Sequence, residues 1–337
     1  MRALVTGAGG FLGRYIVEAL LARGDHVRGL ARSEYPELTT LGVEMVRGDV
    51  RDAKSVAAAC QGVDCVFHTA ARPGIDMQWQ LYDETNRVGT LHVIEACRAA
   101  GVGRLIYTSS PSVVFAGVDQ SGCDERVPYD FSWMRQNRAY YSLTKARAEE
   151  AVLAANSASL RTCALRPHLI WGPRDGHLIP RLIARARSGR LRRVGAGANL
   201  VDMIYVENAA EAHLRAADAL GETASAVGGR GKAYFLSQGE PVNCWQWINE
   251  ILALVELPPV QKSISLTAAR RIGLACEALW RIACLPGEPP MTRFLASQLA
   301  TSHWFDISAA RRDFGYRPRV STAEGMERLG AWLRRGK

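Results

Sequence analysis

The stretch Arg2–Gly13, RALVTGAGGFLG, decides the fold. Its first five residues are a short apolar run typical of a buried strand, and the residues up to Arg23 follow the spacing of an amphipathic helix. Glycines occupy the turn between them. Because a backbone without Cβ lets a phosphate approach closely, and the next helix offers free N–H groups, this context predicts a dinucleotide-binding unit and not merely a turn.

Strand and helix patterns continue to alternate through the first half of the chain. The pattern predicts strands over residues 26–31, 43–47, 64–69, 104–109 and 161–166, and helices over 52–61, 82–100 and 140–155. Such units imply right-handed βαβ crossovers and a parallel sheet. We therefore expect an α/β fold, a doubly wound parallel sheet of the Rossmann type, with a smaller and mainly helical C-terminal substrate lobe.

The chain is expected to cross between these two parts more than once. The dinucleotide-binding domain is predicted to comprise residues 1–171 and 203–237. The substrate lobe is predicted to comprise residues 172–202 and 238–337.

One stretch of the lobe, Ile264–Leu285, is unusual. Its apolar residues recur at near-helical spacing but are interrupted by charged side chains, namely Arg270, Arg271, Glu277 and Arg281. These charges argue against an ordinary membrane-spanning helix. Three interpretations remain: a packed helix, which is the default, a lid over an apolar substrate, or an interfacial helix with arginines at the lipid headgroups.

Composition narrows the classes of partner. The net charge is +9, and arginines supply most of the positive charge. Because they are spread along the chain and not clustered with aromatic residues, nucleic acid is the least favoured partner; an anionic membrane surface or an anionic small molecule is favoured over it.

The eight cysteines occur singly, without zinc-ligand spacing, so we predict no metal site and a reducing, cytoplasmic location. The first apolar run leads straight into glycines, unlike a signal peptide.

The end of the second predicted strand bears on the choice of cofactor. An acidic residue there would bind the ribose 2′-OH of NAD, but this chain has Leu30-Ala31-Arg32-Ser33, with no acid before Glu34. The guanidinium of Arg32 suits a 2′-phosphate, so NADP(H) is predicted over NAD(H). After the third strand, Asp49 is expected either to accept a bond from adenine or to cap a helix, a role for which Asp52 competes.

Several motifs together resemble the extended short-chain dehydrogenases/reductases. They are GAGGFLG (7–13), GDVRD (48–52), HTAA (68–71), NRVGT (86–90), TSS (108–110), YSLTK (141–145) and LRPHLIWGP (165–173). Later segments, among them DMIYVENAAEAH (202–213), resemble the 3β-hydroxysteroid and sterol-4-carboxylate dehydrogenase branch, and within it most of all the bacterial 2-alkyl-3-oxoalkanoate reductases of olefin biosynthesis. The resemblance covers nearly the whole chain.

The resemblance implies a set of cofactor contacts. It implies contacts by Gly7, Gly10, Gly13, Asp49, Ala70, Tyr141, Lys145 and Pro167. Phe11 and Val50 adjoin these motifs and are predicted to take part, as is Arg32.

Tyr141 and Lys145 are the predicted catalytic pair. They are four residues apart on a predicted helix and therefore share a face. A cation about 4 Å from the phenol would lower its pKa by as much as ~3, so the pair is expected to act as a proton shuttle. A hydroxyl after the fifth strand can donate to a substrate carbonyl. The resemblance favours Ser110 for this role, with Ser112 as the alternative. His68 and His168, which flank the expected cleft, are expected to be structural.

The leading functional hypothesis is NADPH-dependent reduction of a β-keto acid, a 2-alkyl-3-oxoalkanoate, to the 3-hydroxy acid. The alternatives are a sterol dehydrogenase, a nucleotide-sugar epimerase or dehydratase, and a non-catalytic NADP sensor. Pro111-Ser112-Val113 after the serine motif argues against dehydration, because the dehydratases have acidic residues there. The Tyr/Lys pair argues against a sensor.

The substrate's apolar tails are expected to meet Ile264–Leu285 together with Trp245, Trp247, Trp280 and Phe294. Its carboxylate is expected to meet Arg174. By analogy with the fold we expect a homodimer. The positive charge leaves association with a membrane surface or an enzyme complex open.

Overall fold

Apolar runs become strands and amphipathic runs become helices in the computed structural model, which describes residues 1–221 and 231–335. The strands are β1 (Arg2–Thr6), β2 (His26–Ala31), β3 (Glu44–Arg47), β4 (Cys65–His68), β5 (Arg104–Thr108), β6 (Gln120–Cys123), β7 (Arg161–Pro167), β8 (Ile170–Trp171), β9 (Arg193–Val194), β10 (Leu200–Val201), β11 (Ile204–Tyr205), β12 (Lys232–Leu236), β13 (Val242–Asn243), β14 (Ser263–Ile264) and β15 (His303–Phe305). The α-helices are α1 (Phe11–Ala22), α2 (Pro36–Thr40), α3 (Ala53–Cys60), α4 (Trp79–Tyr82), α5 (Gly89–Ala99), α6 (Phe131–Gln136), α7 (Tyr140–Ala154), α8 (Leu178–Arg187), α9 (Val206–Gly221), α10 (Cys244–Ala253), α11 (Leu266–Ile282), α12 (Arg293–Ala300), α13 (Ser308–Phe314) and α14 (Thr322–Arg335).

A seven-stranded sheet of order β12-β7-β5-β4-β1-β2-β3 organises the molecule. Every pairing within it is parallel. The chain first builds outward from β1 through β2 to β3 and then returns to add β4 on the other side of β1. Ligands of such sheets bind at this switch point, beyond the carboxyl ends of the strands. The predicted doubly wound α/β fold is confirmed.

Two apolar clusters cover the sheet. One contains buried side chains of α1 and α9, and the other contains buried side chains of α3 and α5. The helix predicted over residues 82–100 is instead α4, a π-helical turn over Asp83–Val88, and α5. The π turn carries Asn86, whose buried amide accepts from the Arg72 backbone N–H and donates to the Thr144 hydroxyl. It thereby ties the loop after β4 to α7.

A third apolar cluster lies in the lobe and includes Trp171, Trp245 and Trp247. The lobe also contains small sheets, the largest of order β13-β10-β15-β6. The division into 1–171 with 203–237, and 172–202 with 238–337, stays a prediction. Within that division, the structure pairs β6 with the lobe strand β15 and packs Phe314 and Tyr316 against the main sheet.

The helix α11 differs from the default prediction of a packed helix. It contacts α12 through a narrow stripe that includes Ala269 and Gly273, where a Cβ on Gly273 would lie 2.6 Å from the Thr292 backbone. Most of its large apolar side chains face outward; Leu279 is 54% exposed and Ile282 is 77% exposed. No helix within residues 1–221 and 231–335 is long and apolar enough to cross a bilayer.

Candidate active site

The glycine turn leaves the start of α1 open to a ligand. Gly7 has a φ of +71°, and its carbonyl accepts the Gly10 N–H at 2.9 Å. Gly10 is the N-cap residue of α1, which has no side-chain cap and no acidic residue in its first turn. By contrast, Asp52 caps α3 through the N–H groups of Lys54 and Ser55. The free N–H groups of α1 can therefore bind phosphate oxygens.

Close backbone packing shapes the same turn. A Cβ on Gly13 would lie 2.2 Å from the Gly7 carbonyl oxygen, so any other residue would push α1 away from the turn. Gly7 faces Ala70 across the switch point, with the Ala70 Cα 3.0 Å from where a Gly7 Cβ would be. Phe11 begins α1, and Pro167 ends β7. The residues present therefore fit the diphosphate of a nicotinamide dinucleotide.

The predicted adenosine end lies beyond β2 and β3. Arg32 is exposed and has no hydrogen bond or ion pair within the part of the chain that the structure describes. Asp49 accepts from the Arg51 side chain at 2.8 Å, and these hydrogen bonds lower the pKa of Asp49. Because Asp52 caps α3, the interpretation of Asp49 as that N-cap is wrong. Val50 is buried beside Gly89.

The structure brings Tyr141 and Ser110 together. Burial raises the pKa of Tyr141 to about 12, and a hydrogen bond with the Ser110 side chain acts in the opposite direction. Ser110 also accepts from the Ser112 N–H at 3.2 Å, and the two hydroxyls are 3.0 Å apart. Ser112 therefore lies next to Ser110, but Ser110 is the serine that forms a hydrogen bond with the Tyr141 phenol.

Lys145 behaves differently from the sequence expectation. Its Nζ donates to the Thr108 carbonyl and lies 4.1 Å from the centre of the Tyr107 ring. Burial lowers the pKa of Lys145 to about 7. The expected lowering of the Tyr141 pKa by this cation is therefore wrong, because a buried lysine that is only partly charged does not offset the desolvation of the phenol.

A buried ion pair that the sequence analysis missed lies behind Lys145. Glu149 is fully buried, accepts from the Arg166 Nε at 3.1 Å and accepts from the Tyr129 hydroxyl at 2.6 Å. The Glu149 charge acts to raise the pKa of Lys145. The spacing of Tyr141, Lys145 and Glu149, each four residues from the last, was the signal for a shared helix face.

Both histidines near the cleft are buried and uncharged. Burial lowers the pKa of His68 to about 3, and its ring bonds Thr6 at 2.7 Å. Burial also lowers the pKa of His168, whose ring packs 4.8 Å from His303. These environments agree with structural roles for both.

A narrow cavity of about 10 Å³ opens beside Tyr141. It lies between the start of α7 and the lobe, and Phe294 lines it as predicted. Trp245 and Trp247 do not line it, because they are buried in the lobe's own apolar cluster. The cavity is lined by Gly74, Ile75, Asp76, Tyr82, Arg138, Ala139, Tyr140, Tyr141, Ser142, Thr292 and Phe294.

The cation predicted for a substrate carboxylate is not at this cavity. Arg174 pairs with Glu18 at 2.6 Å and lies 4.0 Å over the Tyr15 ring. The arginine that lines the cavity is Arg138, which the sequence analysis missed. No local pattern marks it, because it lies in a turn between two helices and its place depends on how the lobe packs.

Comparison with known proteins agrees with this geometry. The model of the 3-beta hydroxysteroid dehydrogenase/isomerase family matches residues 4–266. The chain is 52% identical over 334 residues to 2-alkyl-3-oxoalkanoate reductase of Stenotrophomonas maltophilia, covering 98% of this chain and 99% of that protein. It is 36% identical to sterol-4-alpha-carboxylate 3-dehydrogenase, decarboxylating, of Mus musculus, and the match covers 97% of this chain and 89% of that protein.

A solved structure extends the comparison. MoeE5 in complex with UDP-glucose and NAD superposes with a TM-score of 0.75 at 25% identity, covering 100% of this chain and 99% of that one. The sequence relatives carry the names of a reductase and a dehydrogenase. The chain therefore belongs to the 3-beta hydroxysteroid dehydrogenase/isomerase family and is an oxidoreductase of that family.

Proposed function

We propose that this protein uses NADPH to reduce the ketone of a 2-alkyl-3-oxo acid to a 3-hydroxy acid. The observation that carries the proposal is that Tyr141, with Ser110 as its hydrogen-bond partner, lines the narrow cavity. The reductase from Stenotrophomonas maltophilia, 52% identical over nearly all of both chains, supports the substrate class. We propose Tyr141, Lys145 and Ser110 as the catalytic residues.

Each of these residues has a task that follows from its surroundings. A bound nicotinamide would supply hydride to the ketone carbon. As negative charge develops on the ketone oxygen, the Tyr141 O–H donates a proton to it and the Ser110 hydroxyl stabilises it. The raised pKa of Tyr141 favours this direction, because it keeps the phenol protonated at neutral pH. Lys145, with a pKa of about 7, can return a proton to the phenolate.

The proposed cofactor contacts surround the switch point. The free backbone N–H groups at the start of α1, where Gly10 and Phe11 lie, would bind the diphosphate. Gly7, Gly13 and Ala70 would shape the turn. Asp49 and Val50 would flank the adenine, and Pro167 would lie at the nicotinamide end. A sterol dehydrogenase is the second candidate, supported by 36% identity to the mouse enzyme.

Substrate chain length tests this function directly. In an NADPH-oxidation assay, kcat/KM is expected to rise with each methylene added to a 2-alkyl-3-oxo acid. The rise should stop when the alkyl tails cover the whole apolar surface that binds them. Each buried methylene contributes about 0.8 kcal/mol, or about fourfold in kcat/KM. Two comparison substrates are assayed separately. One is a 3β-hydroxysteroid, supplied together with NADP⁺, and the other is UDP-glucose. A flat profile would reject a long-chain substrate and leave the reductase activity standing, whereas turnover of a comparison substrate alone would reject the keto acid.

Arg32 tests the proposed preference for NADPH. Because its exposed guanidinium makes no hydrogen bond or ion pair within residues 1–221 and 231–335, it can bind a 2′-phosphate without first breaking one. Arg32→Asp is expected to reverse the preference between NADPH and NADH, with a change of about 10²-fold in the ratio of kcat/KM values. Arg47→Asp is the matched control, because Arg47 already pairs with Glu34. An unchanged ratio for Arg32→Asp would contradict the assignment.

We also propose that the exposed side of α11 binds an anionic membrane surface. Exposed Leu279 and Ile282 alternate there with arginines, including Arg271 and Arg281, and the chain carries a net charge of +9. Apolar side chains flanked by arginines are typical of a helix lying in the headgroup region.

Co-sedimentation with vesicles tests this surface. The protein is expected to sediment with vesicles containing phosphatidylglycerol, and the double variant Leu279→Ser, Ile282→Ser is expected to stay in the supernatant. Leu41→Ser removes a comparably exposed side chain elsewhere and is the control. If no vesicle is bound and the same double variant instead dissociates a dimer, the face belongs to the proposed homodimer.

A further inference from the structure

Arg138 occupies an unusual position beside the proposed catalytic tyrosine. It lies in the turn between α6, which ends at Gln136, and α7, which begins at Tyr140. Its φ is +50°, in the left-handed region that disfavours most residues with a side chain. Glycine or asparagine would suit this backbone better. The backbone conformation therefore does not explain an arginine here, so its side chain needs an explanation.

One nitrogen of the Arg138 guanidinium has no hydrogen-bond partner among the described residues. Its Nη1 is buried with no hydrogen-bond partner within the part of the chain that the structure describes. The nearest carboxylate oxygen, Oε2 of Glu277, is 3.9 Å away. A buried donor without a partner is costly, and it is more so when it carries charge.

Glu277 directs its hydrogen bonds to Arg293 and not to Arg138. The Glu277 carboxylate accepts from the Arg293 backbone N–H at 2.7 Å and from its Nε at 2.9 Å. The Arg293 Nη2 lies a further 2.8 Å from the same carboxylate. Arg138 is therefore the second cation on one carboxylate, at a distance too long for a hydrogen bond.

Asp76, the acid among the residues that line the cavity, is also paired. Asp76 lies 2.7 Å from Arg72 in an ion pair. With both acids matched by an arginine, the Arg138 charge is left over inside a cavity that Tyr141 also lines. A planar guanidinium in such a setting is suited to binding a carboxylate through two parallel hydrogen bonds.

We propose that Arg138 binds the carboxylate of the keto acid. This assignment rests on the proposed function. In a 2-alkyl-3-oxo acid a single carbon separates the carboxylate from the ketone. The residue that binds the carboxylate must therefore lie at the same cavity as the residue that protonates the ketone oxygen. Arg138 and Tyr141 meet that requirement, whereas Arg174 does not line the cavity and pairs instead with Glu18 of α1.

The reverse reaction gives a clean test, because 3-hydroxy acids do not lose CO₂ as β-keto acids do. A 2-alkyl-3-hydroxy acid and its methyl ester are oxidised with NADP⁺, and NADPH formation is followed. The variants are Arg138→Met, which keeps the unbranched stem, and Arg138→Asn, which tolerates the left-handed backbone. Arg135→Met, at an exposed position on the preceding helix, is the matched control. Thermal unfolding checks that each variant is folded.

The wild-type protein is expected to prefer the acid over the ester. Arg138→Met and Arg138→Asn are expected to lower kcat/KM for the acid about 10²-fold, since a buried charged partner is removed, and to leave the ester within about threefold. Arg135→Met should change neither substrate.

The possible failures are distinguishable. Equal losses on acid and ester would show that Arg138 only supports the fold and would overturn its assignment, as would unchanged activity on the acid. A wild-type protein that does not prefer the acid over the ester would overturn it even if both variants failed to fold. Turnover of neither compound by the wild-type protein would reject the proposed function itself, and the role of Arg138 with it.

Discussion

Tyr141→Phe is expected to lower kcat for the ketone about 10²–10⁴-fold, because it keeps the ring and removes the proton that the developing alkoxide needs. The binding of NADPH should change by no more than about threefold, since an interaction made only in the transition state affects turnover and not ground-state affinity. Stopped-flow measurement of hydride transfer and fluorescence titration of NADPH separate the two effects.

A second buried tyrosine supplies the control for this loss. Tyr316→Phe also deletes a phenol hydroxyl, which donates to the Ser237 carbonyl, but Tyr316 does not line the cavity. Its kcat should stay near the wild-type value. If Tyr141→Phe turned over at a normal rate, the proton would have to come from Ser110 or a bound water, because burial keeps His168 uncharged.

Glu149→Gln is expected to lower the free energy of unfolding by about 3–5 kcal/mol, because it leaves the buried Arg166 without a countercharge. The pair is almost fully enclosed, with the side chains of Arg166 and Glu149 3% and 0% exposed. Urea denaturation of the wild-type protein and the variant measures the difference. The change should also lower the pKa of Lys145 further, since the Glu149 charge acts to raise it.

The double variant Glu149→Gln, Arg166→Met separates loss of the pair from loss of packing. Removing both charges should recover much of the stability lost in the single variant, because no unpaired buried charge remains. A single variant within about 1 kcal/mol of the wild-type protein would show that water or a neighbouring group compensates Arg166.

Local pattern was enough to predict the sheet and the cofactor turn. The glycines at positions 7, 10 and 13 needed only the strand before them and the helix after them to be interpreted, because the chemistry of the turn is local. The parallel pairing of the strands followed from their alternation with helices. The π turn at Asn86 was missed because no local pattern marks it, and the contact of Asn86 with Thr144 is remote in sequence.

Side-chain environments were harder to predict than positions. The spacing of Tyr141 and Lys145 gave their shared helix face, but it could not show that Nζ turns to the Thr108 carbonyl or that burial lowers the lysine's pKa. In α11, periodicity indicated an apolar face but not how little of it α12 would cover. The importance of Arg138 depends on α12, which begins at Arg293 and is remote in sequence.

The narrowness of the cavity beside Tyr141 has a kinetic consequence. With a volume of about 10 Å³ it holds roughly one water molecule, so the proposed keto acid, with its two alkyl tails, can enter only when residues that line the cavity move apart. The observed affinity is then the intrinsic affinity reduced by the fraction of molecules that are open. Association of the acid will be slower than the diffusion limit. A second ligand that holds the cavity open will raise the affinity for the acid without contacting the acid itself.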